Sequence, residues 1–319
     1  MNRVLGSDTR KLLLPRLLAD LAQSAPAGLK SVLGMRSVYD RLENLAWRGI
    51  NQTVWEIEGS RMYLDPWDRS PMRRTFRSYL RAPKEPLTTK LFKNAIRRGD
   101  TVLDVGANIG FFSLLAARLV GETGRVHAFE PEPRNFKFLI KNIALNAYDQ
   151  IAAYNKAIWR QPGHLKLYLS NELDTGAHTL RVRHAMRYFD QSSEGQSVDV
   201  ECVVMDSFLA GVERVDVIKM DIEGAEAGAL EGMAAMIQAN PGLKMFVEFY
   251  PDALREMGDS PEAFIHTLLG DYGFSALVID ELGAKTRTYP ITRVEALLAL
   301  CRERATIVNL LLTRETNRA

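Results

Sequence analysis

The sequence has 319 residues, of which 46% are apolar and 25% are charged, and its formal net charge is +2. This composition is typical of a globular protein with a sizeable core, and the balanced charge gives no sign of a chain that binds polyanions along its whole length. The two cysteines, Cys202 and Cys301, exclude a zinc framework and a disulfide scaffold, and no run approaches the roughly 18–20 apolar residues of a membrane span.

The amino-terminal region shows no compact signal-peptide core, because Pro15 and Arg16 interrupt the run Leu12–Leu14. Together with the scarcity of cysteine, this predicts a cytoplasmic protein. Residues 1–50 are predicted to be helical, amphipathic and mildly basic. The alternation of apolar and polar residues over 53–64 predicts a β-hairpin.

Two further helices are predicted at 71–80 and 86–98, so we expect residues 1–99 to form a helical and β-hairpin extension, with a role in covering the active site or in a homo-oligomer contact. Over residues 69–98, ten basic side chains stand against one acid, Glu85. This stretch is either a solvated helix face, or a surface that attracts an anionic acceptor or makes peripheral membrane contact. Its aromatic side chains are not interleaved with the basic ones as base-stacking platforms, so no nucleic-acid partner is expected.

From residue 100 to 319, β- and α-patterns alternate, which predicts an α/β domain with an open, mainly parallel sheet covered on both faces. Strands are predicted at 101–105, 125–130, 151–155, 215–220, 243–249, 274–279 and 305–312. Helices are predicted at 109–120, 133–146, 223–238, 260–270 and 292–303. The segment at about 160–204 breaks this alternation, and we interpret it as an acceptor-binding flap. Its His178 is a candidate general base, although an exposed loop histidine fits the same pattern.

The most informative segment is 104–110, Asp-Val-Gly-Ala-Asn-Ile-Gly, where a strand passes into a helix. Glycines at such a turn bring the backbone close to a ligand. A second strand over 125–129 leads into Glu130, about twenty residues after the turn. This arrangement is typical of the nucleoside-binding half of a doubly wound sheet.

The glycine spacing discriminates between two nucleoside ligands. A dinucleotide site uses G-x-G-x-x-G, whereas Gly106 and Gly110 are spaced G-x-x-x-G and follow the acidic Asp104, which would repel a pyrophosphate. An acid at this place suits S-adenosylmethionine, which carries an ammonium group. Asp104 would help to hold that ammonium, or a water molecule bound to it. Glu130 would accept hydrogen bonds from the ribose hydroxyls. The alternatives are a nicotinamide-dependent oxidoreductase, and a non-catalytic binding or scaffold protein that keeps the pocket.

Five runs, in this order along the chain, carry a resemblance to a known family. They are Asp104-Val-Gly-Ala-Asn-Ile-Gly-Phe-Phe-Ser, Phe129-Glu-Pro-Glu-Pro-Arg-Asn-Phe, Asn142-Ile-Ala-Leu-Asn, Val215-Asp-Val-Ile-Lys-Met-Asp-Ile-Glu-Gly-Ala-Glu and Glu248-Phe-Tyr-Pro. Over residues 80–255 the chain resembles the FkbM family of S-adenosylmethionine-dependent methyltransferases. The resemblance implies a class I methyltransferase fold, a Rossmann-like sheet of seven strands with the last antiparallel. It also implies O-methylation of a hydroxyl on a small-molecule or carbohydrate acceptor such as a sugar, glycolipid or secondary metabolite.

The resemblance also assigns the residues that bind the cofactor. They are Glu85, Asp104, Gly106, Ala107, Asn108, Gly110, Glu130, Pro131, Lys156, Ala157 and Asp221. Within this set Lys156 and Ala157 are placed at the adenine edge by the family pattern alone.

On the acceptor side, Asp221 and Glu248 end two neighbouring strands, and Asp221 is our first candidate for accepting the proton of the hydroxyl. Lys219, inside a central strand, needs a carboxylate partner, which either acid can supply. The two acids could also hold magnesium, but no third acid is clearly in place. Glu223 opens the next helix, where it either serves the site or is a first-turn helix acid. We therefore assign no metal ligand from the sequence.

Overall fold

The structure is a computed structural model, and it describes residues 3–5, 53–64, 85–169, 197–281, 287–291, 293–304 and 307–314. The chain divides into two compact units. The first comprises Met1–Lys84 with Glu172–Thr175, and the second comprises Glu85–Asn171 with Gly176–Ala319.

In the first unit, the described residues form an antiparallel three-stranded sheet in the order β1-β2-β3, with β1 at Arg3–Leu5, β2 at Thr53–Ile57 and β3 at Ser60–Leu64. The predicted hairpin over 53–64 is confirmed. Its turn places Glu58 and Gly59 at positive φ, as a tight two-residue hairpin turn requires.

The prediction of helix throughout residues 1–50 is wrong at Arg3–Leu5. This segment is extended because its backbone pairs with the free edge of β2, with Arg3 opposite Glu56. The remainder of 6–52 and the helix predicted at 71–80 lie outside the described residues.

The second unit is built on one large sheet and one small one. The strands are β4 Thr101–Val105, β5 Arg125–Phe129, β6 Ile151–Tyr154, β7 Ala157–Ile158, β8 Gly163–Tyr168, β9 Ser197–Val203, β10 Val217–Met220, β11 Lys244–Phe249, β12 Ser275–Asp280, β13 Arg287–Pro290 and β14 Val308–Thr313. In the large sheet the order is β13-β12-β14-β11-β10-β4-β5-β6.

The strands β6, β5, β4, β10 and β11 are parallel to one another, whereas β14 runs antiparallel to both β11 and β12. The predicted α/β class with a last, antiparallel strand is therefore confirmed. Within the described part of the chain, β13 adds an eighth strand at the edge. In this order β4 and β10 are neighbours although residues 106–216 lie between them in the chain, and their carboxyl ends share one edge of the sheet.

The helices lie between these strands. They are α1 Pro86–Ala95, α2 Phe111–Val120, α3 Pro133–Asn146, α4 Met205–Phe208, α5 Glu226–Glu231, α6 Ala234–Ala239, α7 Pro251–Glu256, α8 Pro261–His266 and α9 Val294–Arg304, with a π-helical turn at Thr267–Asp271. The single helix predicted at 223–238 is two short helices, because the chain turns at Gly232, where a Cβ would lie 2.4 Å from the carbonyl oxygen of Trp159. In the structure described here, no helix is long and apolar enough to cross a bilayer.

Helix α1 belongs to the second unit, so the units divide at residue 84/85 and not at 99/100, where the alternating β- and α-patterns of the sequence begin. The reason is aromatic packing. Phe92 is fully buried, with its ring 5.1 Å from that of Phe112 and 5.4 Å from that of Phe246, both edge-on. The sequence of the helix does not show which side of the boundary it packs on.

The small sheet, ordered β7-β9-β8, forms the described part of the segment interpreted as a flap. The β-patterns predicted at 165–169 and 198–204 correspond to β8 and β9. His178 and the polar stretch around it lie outside the described residues.

Candidate active site

The turn that follows β4 is held by the backbone of the next strand. The amides of Gly106 and Ala107 both donate to the carbonyl oxygen of Phe129, each at 2.9 Å, and Gly110 N donates to Ala107 O at 2.8 Å. Gly106 has φ +88°, and a Cβ there would lie 2.0 Å from the carbonyl oxygen of Asp221. The glycine therefore lets the turn lie directly against the end of β10.

Glu130 lies at the carboxyl end of β5 with its side chain 5% exposed. Its Oε2 accepts from Asn108 N at 2.8 Å, and its Oε1 accepts from Glu132 N at 2.9 Å. Each oxygen thus receives one backbone donor and keeps capacity for another. Burial raises the pKa of Glu130 to about 8, against the lowering effect of the two backbone hydrogen bonds.

Asn108 has φ +51°, a left-handed conformation that asparagine tolerates, and its Oδ1 accepts from Ile109 N at 2.8 Å. The residue thus turns its own amide toward Glu130. Pro131 contributes a carbonyl oxygen that accepts from Asn155 Nδ2 at 2.9 Å, and the same amide group donates to Glu130 O at 2.8 Å. These two hydrogen bonds therefore fix the conformation of the loop after β5.

Asp104 lies inside the sheet and is 2% exposed. Its Oδ2 accepts from the hydroxyl of Ser113, in the first turn of α2, at 2.5 Å. This bond ties the strand to the helix across the glycine turn. Ser113 was not singled out from the sequence, because one serine in an apolar helix gives no signal there.

On the other side of the turn lies Asp221, at the end of β10. Lys219 Nζ donates to Asp221 Oδ2 at 3.0 Å, with the lysine side chain 1% exposed and the aspartate side chain 23% exposed. The ammonium also lies 4.9 Å from the ring centroid of Phe112. The predicted partner for this buried lysine is therefore present, and it holds the Asp221 carboxylate at a partly open position.

Asp221 is part of an acidic cluster with Glu223 and Glu248, in which one carboxylate oxygen of each residue lies within 4.8 Å of those of the others. Glu223 has φ +56°, so the turn after β10 bends it back toward the strand ends. Burial raises the pKa of Glu248 well above its usual range, and the neighbouring acids Asp221 and Glu223 raise it further. No third acid was evident from the sequence, and in the structure Glu223 is that acid.

Glu226 adds a fourth carboxyl group and is 1% exposed. Its Oε1 accepts from Ile222 N at 3.1 Å, and burial raises its pKa to about 7. The spacing Asp221-Ile-Glu-Gly-Ala-Glu could have indicated the group, but a first-turn helix acid gives the same pattern.

Glu85 is connected to this region by Asn309, a residue that was not singled out from the sequence. Its Oε2 accepts from Asn309 Nδ2 at 3.3 Å, and Asn309 lies directly opposite Glu248 in the β11–β14 pair. A polar residue in the apolar run Val-Asn-Leu-Leu-Leu-Thr was the available signal. The side chain lies beside the acids because β14 is inserted antiparallel next to β11.

Lys156 and Ala157 follow β6 and lead into the small sheet. Lys156 forms an ion pair with Glu201 on β9, and Ala157 pairs with Cys202. These contacts connect the third parallel strand to the small sheet. Contact with adenine, predicted from the family pattern, stays a prediction.

A comparison with protein families matches residues 104–276 to the family described as "Methyltransferase FkbM domain". Among curated proteins, the chain is 30% identical over 156 residues to methyltransferase sdnD of Sordaria araneosa, an alignment covering 41% of this chain and 60% of that protein. It is 28% identical over 162 residues to the 31-O-demethyl-FK506 methyltransferase FkbM of Streptomyces tacrolimicus, covering 43% and 61%. The chain thus spans about three fifths of the length of the curated relatives it matches.

Among solved structures, a methyltransferase FkbM from Methylobacillus flagellatus KT is similar with a TM-score of 0.36 and 16% identity. The alignment covers 65% of this chain and 49% of that one.

Proposed function

Because the chain belongs to the FkbM methyltransferase domain family, we propose that it transfers a methyl group from S-adenosylmethionine to a hydroxyl of a sugar, glycolipid or secondary metabolite. The cofactor of this methyltransferase is S-adenosylmethionine. The observation that carries the proposal is the contact between two half-sites. The glycine turn that serves the donor lies against the backbone of Asp221, which serves the acceptor.

The residues present fit the cofactor at the ribose. Glu130 has one backbone donor on each oxygen, and its raised pKa reflects the burial of its carboxyl group. Two ribose hydroxyls would supply further donors and favour the ionised form. Asp104 and the 106–110 turn would shape the pocket, with Asn108 N held in place by Glu130.

When bound, the cofactor supplies an already activated methyl group on its sulfonium. The protein therefore has to align the acceptor and to receive its proton. An alkyl hydroxyl has a pKa near that of water, about 15.7, and a carboxylate has one near 4. Full deprotonation before transfer would cost on the order of 16 kcal/mol, since each pKa unit is about 1.36 kcal/mol.

Asp221 would consequently take the proton as the methyl group moves and not before. Its carboxylate is suited to this role because Lys219 orients one oxygen while the side chain stays 23% exposed. Glu248, on the neighbouring strand, would bound the same pocket, and His178 in the flap remains a candidate for the same proton. One relative is named a 31-O-demethyl-FK506 methyltransferase, which supports a hydroxyl oxygen as the acceptor atom here.

The wider setting is also part of the proposal. We propose a cytoplasmic enzyme that acts on a small-molecule or carbohydrate acceptor and not on a nucleic acid, with the flap at 160–204 holding that acceptor. The two cysteines, free and buried, support a reducing compartment. Fractionation of producing cells, and size-exclusion chromatography for a homo-oligomer, test these points.

The proposal is tested by incubating the full chain with isotopically labelled S-adenosylmethionine and a panel of sugars, nucleotide-sugars, lipid-linked glycans and hydroxylated metabolites. We expect mass gain of one methyl on an oxygen of one acceptor class. Calorimetry with S-adenosylhomocysteine precedes it, with NAD as the matched control ligand. Binding of NAD but not of S-adenosylhomocysteine would instead support a nicotinamide-dependent oxidoreductase.

The role of Asp221 is tested by Asp221→Asn, which keeps the size of the side chain and removes its basicity. We expect turnover to fall about 10²–10⁴-fold, with S-adenosylhomocysteine affinity changed far less. Asp252→Asn, an exposed aspartate on α7, is the control. Unchanged turnover in Asp221→Asn would assign the proton to another group.

A further inference from the structure

The acidic cluster formed by Asp221, Glu223 and Glu248 has the composition and spacing of a site for a hard cation. An ion with metal–oxygen distances of about 2.1–2.4 Å places its ligand oxygens roughly 3–4.8 Å apart. The three carboxylates each offer an oxygen within 4.8 Å of the others, and all three residues are partly accessible from solvent. A cation can therefore reach them without the protein unfolding.

A second observation comes from the buried oxygens around the cluster. Glu226 is 1% exposed, and its Oε1 is held by Ile222 N, the amide between two of the three acids. Its Oε2 receives no hydrogen bond from the described residues. The same holds for Glu248 Oε2, and for Oδ1 of its cross-strand neighbour Asn309.

Buried oxygen atoms without donors are costly, and here one belongs to the cluster while two belong to residues next to it. All are acceptors, so the group that completes the site must offer positive charge or protons. Lys219 supplies one positive charge, and its ammonium is directed to Asp221 Oδ2. Four carboxyl groups and one ammonium thus stand together at the carboxyl ends of β10 and β11.

We propose that Asp221, Glu223 and Glu248 bind a divalent cation, with Glu226 and Asn309 as surrounding oxygens that position or complete its shell. The donor set is all oxygen, which selects the magnesium, manganese and calcium class over zinc or copper. Three protein oxygens leave other coordination positions for water or ligand. If the chain transfers a methyl group as proposed, oxygens of the acceptor would occupy those positions beside Asp221; this part of the inference rests on the proposed function.

The test uses Mn²⁺ as a paramagnetic probe with the full chain, titrated without S-adenosylmethionine and followed by the loss of the free Mn²⁺ resonance signal. We expect one ion per chain, with saturation below about 1 mM, and its displacement by Mg²⁺ or Ca²⁺. Glu223→Gln and Glu248→Gln should each weaken Mn²⁺ binding at least about tenfold. Glu262→Gln, a change of an exposed acid on α8, should leave it unaltered.

Circular dichroism and S-adenosylhomocysteine calorimetry establish that each variant is folded. Absence of stoichiometric Mn²⁺ binding by the wild type, or equal binding by both cluster variants, overturns the inference. If S-adenosylhomocysteine binding and methyl transfer persist in that case, the proposed function stands while the cation site falls. If Mn²⁺ binds as expected but S-adenosylhomocysteine does not, the cation site stands and the methyltransferase proposal fails.

Discussion

Glu130 is the residue on which cofactor affinity is expected to depend most. Its carboxylate keeps acceptor capacity for two ribose hydroxyls, and hydrogen bonds to a charged group contribute about 1.5–3 kcal/mol each. We expect Glu130→Ala to weaken S-adenosylhomocysteine binding about 100-fold or more in calorimetry. Glu122→Ala, an exposed acid before β5, should bind like the wild type. Equal affinity of the wild type and Glu130→Ala would remove the ribose assignment.

Gly106 is the residue at which the two half-sites meet. A Cβ at this position would lie 2.0 Å from Asp221 O, and the backbone has φ +88°, so Gly106→Ala must displace the end of β10 or the turn. We expect the variant to lose several kcal/mol of unfolding free energy, on the order of a strained core substitution, together with S-adenosylhomocysteine binding. Urea denaturation measures the first effect.

The control for this change is Gly242→Ala, where a Cβ would meet nothing within 4 Å. Its unfolding free energy should stay within about 0.5 kcal/mol of the wild type. A Gly106→Ala protein as stable as Gly242→Ala would mean that the turn is not packed against β10 as described.

Among the secondary-structure elements, α1 depends on a residue distant in sequence. Glu85 precedes the helix but makes no capping bond with its side chain, and the first turn contains no acid. Glu281, beyond β12, instead accepts from Thr88 N at 2.7 Å and from Leu87 N at 3.4 Å. A carboxylate at a helix amino terminus satisfies open amides and favours the helix dipole.

We therefore expect Glu281→Ala to lower the unfolding free energy by about 1–2 kcal/mol and to speed amide exchange in the first turn of α1. Glu295→Ala, a change of an exposed first-turn acid in α9, is the matched control and should cost less than about 0.5 kcal/mol. Equal exchange rates for α1 in both variants would show that another group supplies the cap.

At this scale the alternation of strands and helices was predictable from residue 100 onward, because apolar periodicity is a local property. The bounds at 101–105 and 133–146 agree with the structure. The division of the helix predicted at 223–238 was not predictable, since it depends on the close approach of Trp159 to Gly232. The strand at Arg3–Leu5 likewise depends on a partner about fifty residues away.

For the whole molecule, stability should depend on pH through Glu130. Burial raises its pKa to about 8 from an ordinary value of 4.5, so between these values the folded state holds a proton that the unfolded state has lost. The contribution of this group to the unfolding free energy is therefore fully present below about pH 4.5. It is lost as pH rises through 8, at up to about 1.4 kcal/mol per pH unit.

Urea denaturation of the wild type and of Glu130→Gln at pH 5.5, 7.0 and 8.5 measures this effect. We expect the wild type to lose stability with rising pH relative to the glutamine variant, which cannot ionise. Parallel pH profiles for the two proteins would contradict the burial of an ionisable group at this position.

The sequence by itself determined the class of fold, the glycine turn at 104–110 and the positions of Asp104, Glu130 and Asp221 at or near the ends of their strands. These follow from residue spacing within single strand–turn–helix units, where local periodicity and the backbone freedom of glycine decide the structure. Only the tertiary structure decided which distant side chains share the site. The order β14-β11-β10-β4 brings Asn309, Glu248, Asp221 and the glycine turn to one edge of the sheet, and the turn after β10 adds Glu223. Strand pairing between segments far apart in the chain leaves no local trace, so the acidic cluster became visible only once the sheet was assembled.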